Sequence, residues 1–471
     1  MSHFFLYWSF FLIGYVSGTI LFPNQPLIRF VGAFLLGAGV LVILVLVLSI
    51  LGKLTLFNLF ISCFLLLAIL AVSNKKHFFV CRRRVENVFV FSLITGIVSW
   101  IFSSVNFSIL SYDSYRMIEI GLDIGWNEGL SGSTTSKLAA WGVFIPSIQA
   151  LGALLGIDYL FGFQALLVLS FAATWFYFLW VEYDRKGHRV FKISYVGLAT
   201  LSLFSTYFIF FQAGYIHNSM IAAAYLFLLV SSSKLEIEGE LSANTVYFVA
   251  LCFSLCRTEG PIAVLLVFAV WHAHRKILVR DVVSYFLIFA LPIIAWYCYL
   301  ITDMGKSGDI LTPNRVSIIL SILVLYGLGM LATLYSEHCN TVFKWLGKHI
   351  IYLLMLCLAV IITFKFENTI ESISATYRNM TETGRWGYFW YCTAAAIALC
   401  IFKFKRQSLN LFLFVGVASL LFIIDISFTR IPYRLGFGDS ANRMLTHVAP
   451  LLWFYAMAVL ASCTNKGNKE F

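Results

Sequence analysis

The stretch IRFVGAFLLGAGVLVILVLVLSIL, residues 28–51, carries one charge, Arg29, and otherwise only apolar and small side chains. A helix that crosses hydrocarbon needs about 20 consecutive apolar residues, and this run meets that length with no turn residue to divide it. Comparable runs recur at 4–22, 55–73, 88–105, 159–181, 194–211, 218–233, 243–256, 261–274, 282–301, 316–335, 349–364, 388–402, 408–425 and 447–463. Two of them, 243–256 and 261–274, have the length of a broken or re-entrant pair. The composition agrees. Of 471 residues 61% are hydrophobic and 12% charged, against roughly 45–50% and 25% in soluble domains. Such a chain cannot cover a water-soluble surface. A soluble enzyme, a disulfide scaffold, a disordered chain and a single-pass receptor are excluded. Long continuous runs also differ from the ten-residue alternating segments of a β-barrel. The fold class is all-α, a polytopic helical membrane protein with about 13–15 transmembrane helices.

The net charge of +11 invites a nucleic-acid partner. Cytoplasmic loops of membrane proteins accumulate Lys and Arg, and that bias accounts for the excess without one. Most of the 33 basic residues gather near 75–87, 183–193, 234–242, 275–281, 336–348, 403–407 and in the C-terminal tail, so those segments are assigned to the cytoplasm. The N-terminus then lies outside and the C-terminus inside. Segments 106–158, 302–315, 365–387 and 426–446 fall on the outer face, which has the only room for chemistry. Cys63, Cys252, Cys298, Cys357, Cys392 and Cys400 sit in apolar runs, as small buried hydrophobes do. No CxxC pair or Cys/His cluster has zinc spacing. The first apolar segment lacks a basic leader and a small-residue cleavage site, and reads as a retained helix.

In the first long outer segment Asp113 stands in a Ser/Tyr-rich setting. From Tyr115 to Trp126, apolar Met117, Ile118, Leu122 and Trp126 mark one face of an amphipathic helix, of the kind that lies in a membrane interface. The dipole at a helix start favours an ionised carboxylate, which is suited to take a proton from a hydroxyl nucleophile. The competing reading makes Asp113 a helix cap, and Asp123 and Glu128 are rival acids.

The last outer segment places Arg430, Arg434, Arg443 and His447 against the positive-inside bias. Arg443 and His447 are four apart and share one helix face, and guanidinium groups at headgroup level suit a phosphate. The alternative is that these side chains snorkel to lipid. Arg257 and Glu259 occupy the turn between the two short helices, where ionisable residues are costly and often functional, or form an ordinary Arg–Glu pair. His217 opens another helix, a position where histidine also serves structure. Arg378 and Arg385 in 365–387 have the charge to meet an anion. Sequons at Asn106 and Asn379 fall outside, at a frequency close to chance.

Five segments in this order resemble the GT-C superfamily of polytopic glycosyltransferases, which draw sugars from polyprenyl-phosphate carriers. They are YDSYRMIEIG (112–121), FIPSIQALGALLGID (144–158), YIHNSMIAAAYLFLLV (215–230), SLCRTEGPIAVLL (254–266) and SANRMLTHVAPLL (440–452). The chain departs from the family pattern in having roughly three helices before the acid-bearing loop, and His217 where an Asp is common. The resemblance implies N-terminal helices over 1–87 and a catalytic module over 88–471. It implies that Asp113 is the general base and that Arg443, with His447 and Arg434, binds the donor phosphate. Arg257 and Glu259 would shape the cavity, with His217, Tyr115 and Arg378 as further substrate-lining candidates. The activity implied is inverting transfer of a sugar from an undecaprenyl-phosphate-type donor to a cell-envelope glycan or lipid acceptor, such as an O-antigen, at the outer face of a bacterial inner membrane, with membrane lipids as the other partners. No metal ligand is assigned, and a divalent metal stays open because Asp113 lacks an adjacent second acid. A polymerase or ligase using a pyrophosphate-linked glycan is the alternative within the same chemistry. A transporter or lipid-linked-glycan flippase is the alternative from another class.

Overall fold

A computed structural model describes residues 1–73, 82–184, 192–303, 312–401, 407–429 and 432–463. Arg430 and half of the basic loop residues on which the sidedness argument rests lie outside them. Every one of the fifteen apolar runs is helical, and the described residues contain no strand, only an isolated bridge between Ile109 and Tyr215. Seven described helices are long and apolar enough to span a membrane: Ser2–Leu21, Ala33–Ile50, Phe163–Tyr183, Asn218–Ile237, Val279–Thr302, Pro313–Tyr335 and Ser440–Ala461. Glu337–Lys348 and Ile350–Phe364 make an eighth if read together, bent by 67°. The protein is a multi-pass helical membrane protein. Three runs differ in detail. The quoted stretch breaks at Gly32 into Pro26–Val31 and Ala33–Ile50, run 194–211 breaks after Phe204, and Tyr285–Ala290 is a π-helical segment within its span.

Two helices form the centre. Asn218–Ile237 is buried along nearly its whole length, as is Ser440–Cys463. Trp175, Phe227, Phe412 and Phe454 interlock between them, with ring centroids 4.5–5.7 Å apart for Phe454 against the other three. The N-terminal hairpin is bound into this body by polar contacts. Tyr225 donates to the Leu35 carbonyl (2.6 Å), Thr245 to that of Leu21 (2.6 Å), and Gly162 N–H to the Tyr7 hydroxyl (2.9 Å).

The first long connection is mostly helical: Tyr112–Trp126, Gly132–Trp141 and Phe144–Leu154. The amphipathic helix is present, and its apolar side is covered by Phe144–Leu154. Its buried face is the expected one at Met117, Ile118 and the half-buried Leu122, and differs at its end. Met117 and Ile118 are buried, but Trp126 is exposed, and Gly121 and Gly125 are buried in the same face. A Cβ on Gly121 would stand 2.7 Å from the Pro146 carbonyl, and one on Gly125 would stand 3.0 Å from that of Ala150. Close helix approach is set by small residues, so the helix turns its glycines, rather than its largest side chain, to its neighbour.

Overpacking a tight contact costs about 1–3 kcal/mol. Gly121→Val is therefore expected to lower the thermal unfolding midpoint in detergent. Gly197→Val, where an added Cβ meets nothing within 4 Å, is expected to leave it nearly unchanged. Equal midpoints for the two variants would contradict the close-approach argument.

Candidate functional site

Asp113 is the second residue of its helix. The cap is Ser111, whose side chain accepts from the Ser114 amide, so Asp113 is free of capping and its carboxylate points elsewhere. The bridge between Ile109 and Tyr215, with Ile109 N–H donating to the Gly214 carbonyl (2.6 Å), sets the loop before Asp113 against the segment before His217. A Cβ on Gly214 would lie 2.7 Å from the Phe107 carbonyl, so this approach requires glycine.

Three separate segments then meet. The Tyr215 hydroxyl donates to Asp113 Oδ2 (2.9 Å), and Arg443 Nη1 donates to the same oxygen across 330 residues of chain. Their side chains are 16% exposed for Arg443 and 22% for Asp113. Arg443 Nη1 also lies 3.3 Å from the Tyr215 hydroxyl and 3.4 Å from His217 Nε2. Tyr215 stacks on His217, with planes 7° apart. His217 caps the central helix by accepting the Ser219 amide on Nδ1 (3.1 Å). That bond assigns the ring proton of the neutral tautomer to Nε2. The 3.4 Å approach to Arg443 is then a meeting of two N–H donors, and both are available to one anionic oxygen.

Burial, followed by the charges of Arg443 and Arg257, pushes the His217 pKa well below its usual 6.5, which keeps the ring neutral. Burial also raises the Tyr215 pKa, against the opposing pull of Arg443, so the phenol keeps its proton and remains a donor to Asp113.

Beside this cluster Arg257 donates to Glu259 Oε1 from Nε (3.0 Å) and Nη2 (2.7 Å). The pair borders a small cavity of about 30 Å³ that His447, Met444, Leu226 and Phe422 also line. His447 is buried with Nε2 lacking a partner, and Arg443 Nε is likewise buried and unpartnered. The turn is held in place by Thr258, which donates to the Ala139 carbonyl (2.8 Å), and by Tyr297, which donates to that of Thr258 (2.6 Å). Asn218 clasps the other side, donating to Trp141 (2.6 Å) and accepting from Ile145 N–H (3.0 Å).

Asp113, Arg443, His217, His447, Arg257 and Glu259 thus gather at one end of the central helices. Arg434 is exposed, and its backbone amide bonds Asp439. Arg378 is exposed and paired with Glu382 (3.2 Å). Tyr115 is exposed. Among the described residues, none of these three is hydrogen-bonded or ion-paired through its side chain to Asp113 or Arg443. Of the rival acids, Asp123 lies 3.7 Å from Lys137, and Glu128 sits in a turn at φ 53° with its carbonyl accepting from Leu54. Asn379, the second sequon, is fully buried with both amide atoms bonded, to Arg434, Gly436 and Thr383. Sequence reasoning missed Tyr215 as a partner of Asp113; its place two residues before His217, in GYIHNS, was the available signal. A divalent cation does not suit the donor set at Asp113. Hard cations want several oxygen ligands, whereas Asp113 Oδ2 faces a guanidinium, and no group of three or more His, Cys, Asp or Glu able to hold a metal occurs among the described residues.

Because His217 titrates at 6.5 when exposed and well below that when folded, the unfolded chain takes up a proton first as pH falls. Its contribution to stability is present above about pH 6.5 and lost below it. The thermal midpoint of wild type relative to His217→Gln is expected to fall between pH 7.5 and 5.5. A pH-independent difference would contradict the buried, neutral ring.

No protein family, curated protein or solved structure matches this chain, so its function is read from the chemistry of the cluster itself.

Proposed function

We propose that the protein is a membrane-embedded glycosyltransferase of the GT-C kind, moving a sugar from a polyprenyl-phosphate donor to a cell-envelope acceptor on the extracytoplasmic side. The observation that carries this reading is the meeting of Asp113 with Arg443, flanked by the His217 N–H, with Arg257 near enough to act on that ring. A carboxylate beside two convergent anion-binding donors is what acid–base displacement of a phosphate leaving group requires.

In the reaction the acceptor hydroxyl gives its proton to Asp113 while its oxygen bonds the anomeric carbon. The bond from that carbon to the phosphate oxygen breaks, and the electron pair leaves with the phosphate, whose charge Arg443 and His217 Nε2–H stabilise. Attack from the face opposite the leaving group inverts the anomeric centre. Without donor, Arg443 is occupied by Asp113, so the donor phosphate competes with the carboxylate for the guanidinium and frees the base as it binds. Donor binding then precedes productive acceptor binding.

The distribution of charge favours an enzyme over a transporter. Transporter sites lie near the bilayer midplane. Along Asn218–Ile237 the polar groups sit at the two ends, His217 at one and the Lys234–Glu182 pair (2.5 Å) at the other, with Met220–Val230 an apolar stretch save for Tyr225 between them.

Transfer assays with purified full-length protein, polyprenyl-phosphate sugars and an envelope acceptor extract test this. Asp113→Asn is expected to remove activity by a factor of about 10²–10⁴ with the helix intact, since Ser111 and not Asp113 caps it. Arg443→Ala is expected to raise the donor KM and lower kcat. Full activity in Asp113→Asn would rule out its role as base, and no transfer from any phosphate-linked sugar by wild type would overturn the reaction class.

A further inference from the structure

Arg385 has a backbone φ of 60°, a left-handed conformation shared by only one other non-glycine described residue, Glu128. A residue with a Cβ there carries strain that glycine would not. Such strain persists only where the surroundings impose it, and here they do. Before Arg385 runs the π-helical turn Asn379–Thr383, anchored by the buried Asn379 amide to the Arg434 carbonyl (2.9 Å) and the Gly436 amide (2.8 Å). After it, Trp386 Nε1 donates to Asn442 Oδ1 (2.6 Å), and Asn442 is the residue before Arg443.

The clamp lays the guanidinium over two rings, 5.1 Å from the Phe437 centroid and 5.3 Å from that of Tyr207, with Nη1 donating to the Tyr207 hydroxyl (3.1 Å). Arg385 and Tyr207 are both exposed. No carboxylate pairs with Arg385 among the described residues. Glu382 is turned to Arg378 and Asp439 to the amides of Arg434 and Ala441. The shelf is continuous with the Asp113 site: Phe437 meets Phe211 at 4.5 Å, Phe211 meets Tyr215 at 5.6 Å, and Tyr215 donates to Asp113. A planar cation with free donor edges recognises a carboxylate or phosphate bidentately. The exposed Tyr207 ring beside it adds apolar surface against which the C–H side of a sugar can rest.

We propose that Arg385, Tyr207 and Phe437 form an acceptor subsite that takes an acidic group, carboxylate or phosphate, on the glycan that receives the sugar. This rests on the glycosyltransferase reading of the Asp113 site. It makes Arg385 a residue for acceptor choice rather than for the chemical step, with the strained loop holding the cation at a set distance from the base.

The test is a binding titration of full-length protein in phosphatidylcholine nanodiscs, using a glucuronate-containing oligosaccharide and its carboxyl-reduced counterpart. Wild type is expected to bind the acidic form on the order of tenfold more tightly, the size of one charge-assisted bidentate contact. Arg385→Gly removes the charge and suits φ 60°, so it is expected to fold with an unreduced thermal midpoint and to lose the preference. Arg385→Lys is expected to keep part of it. Equal affinities in wild type, or a preference that survives Arg385→Gly, would overturn the subsite. Erasure of the wild-type preference by phosphatidylglycerol in the discs would also overturn it, assigning the arginine to lipid headgroups. Binding is read without turnover, so an acid preference with no transfer would indict the reaction class alone, and transfer with no preference would indict the subsite alone.

Discussion

A guanidinium at the mouth of a buried helix has to be neutralised, and most of this site follows from how that is done for Arg443. Taking one partner from a desolvated ion pair costs about 3–5 kcal/mol, so Asp113 and Arg443 constrain each other although 330 residues separate them. To deliver the carboxylate, the loop before Asp113 is bridged onto Gly214 and Tyr215, and Ser111 does the capping. Its helix is drawn onto Phe144–Leu154 at Gly121 and Gly125. Phe144–Leu154 is in turn fastened to the start of the central helix by Asn218. Each device has a local physical reason, and together they converge on one oxygen atom.

The far end of the central helix solves the same problem in a different way. Lys234 is held between Glu182 (2.5 Å) and Glu238 (3.0 Å). Arg275 bonds Glu236 (2.8 Å) and Asp281 (2.6 Å) and lies 4.6 Å from the Trp271 ring centre. There the charges are closed on one another. At the Asp113 end Arg443 Nε and His447 Nε2 are buried without partners, and at the far end so is Asp281 Oδ1. Unpaired buried donors and acceptors are costly to leave unmade, and His447 lines the small cavity beside Arg257. The two ends differ in exposure: the Arg443 and Asp113 side chains are 16% and 22% exposed, those of Lys234 and Glu182 only 4% and 3%.

The aromatic and strained features around Arg385 belong to the same construction. Asn379 and Asn442, both fully buried, tie the connection after Phe366–Arg378 to the start of the last helix. The loop that carries Arg385 is thereby referenced to Arg443 rather than left to move on its own. A surface arginine is ordinarily free to sample many rotamers; this one is positioned by the same helix that carries the ion pair.

From the residues alone the helical, multi-pass architecture was legible, because an apolar run of span length leaves the backbone no option in hydrocarbon but to bond to itself. The candidates Asp113, Arg443, His217, Arg257 and Glu259 were legible too, as charged or polar groups standing where charge is expensive. What the linear chain could not reveal was which of them share a site. Asp113 read first as a cap until Ser111 was seen to occupy that place. Arg434 and Arg378 had the same chemistry as Arg443 but end exposed, because neither stands on a buried helix face. Tyr215 carried no signal of its own, since a tyrosine beside a histidine near a helix start is unremarkable until a carboxylate arrives from elsewhere. Trp126 was wrongly placed on the buried face of Tyr112–Trp126 for a related reason: hydrophobicity measures what leaves water, whereas the approach of two helices is decided by what is small enough to let backbones meet. Local sequence thus determined the elements and the supply of ionisable groups. Only the tertiary structure decided their pairing, because pairing depends on which helix ends are brought together and which donors burial leaves without water.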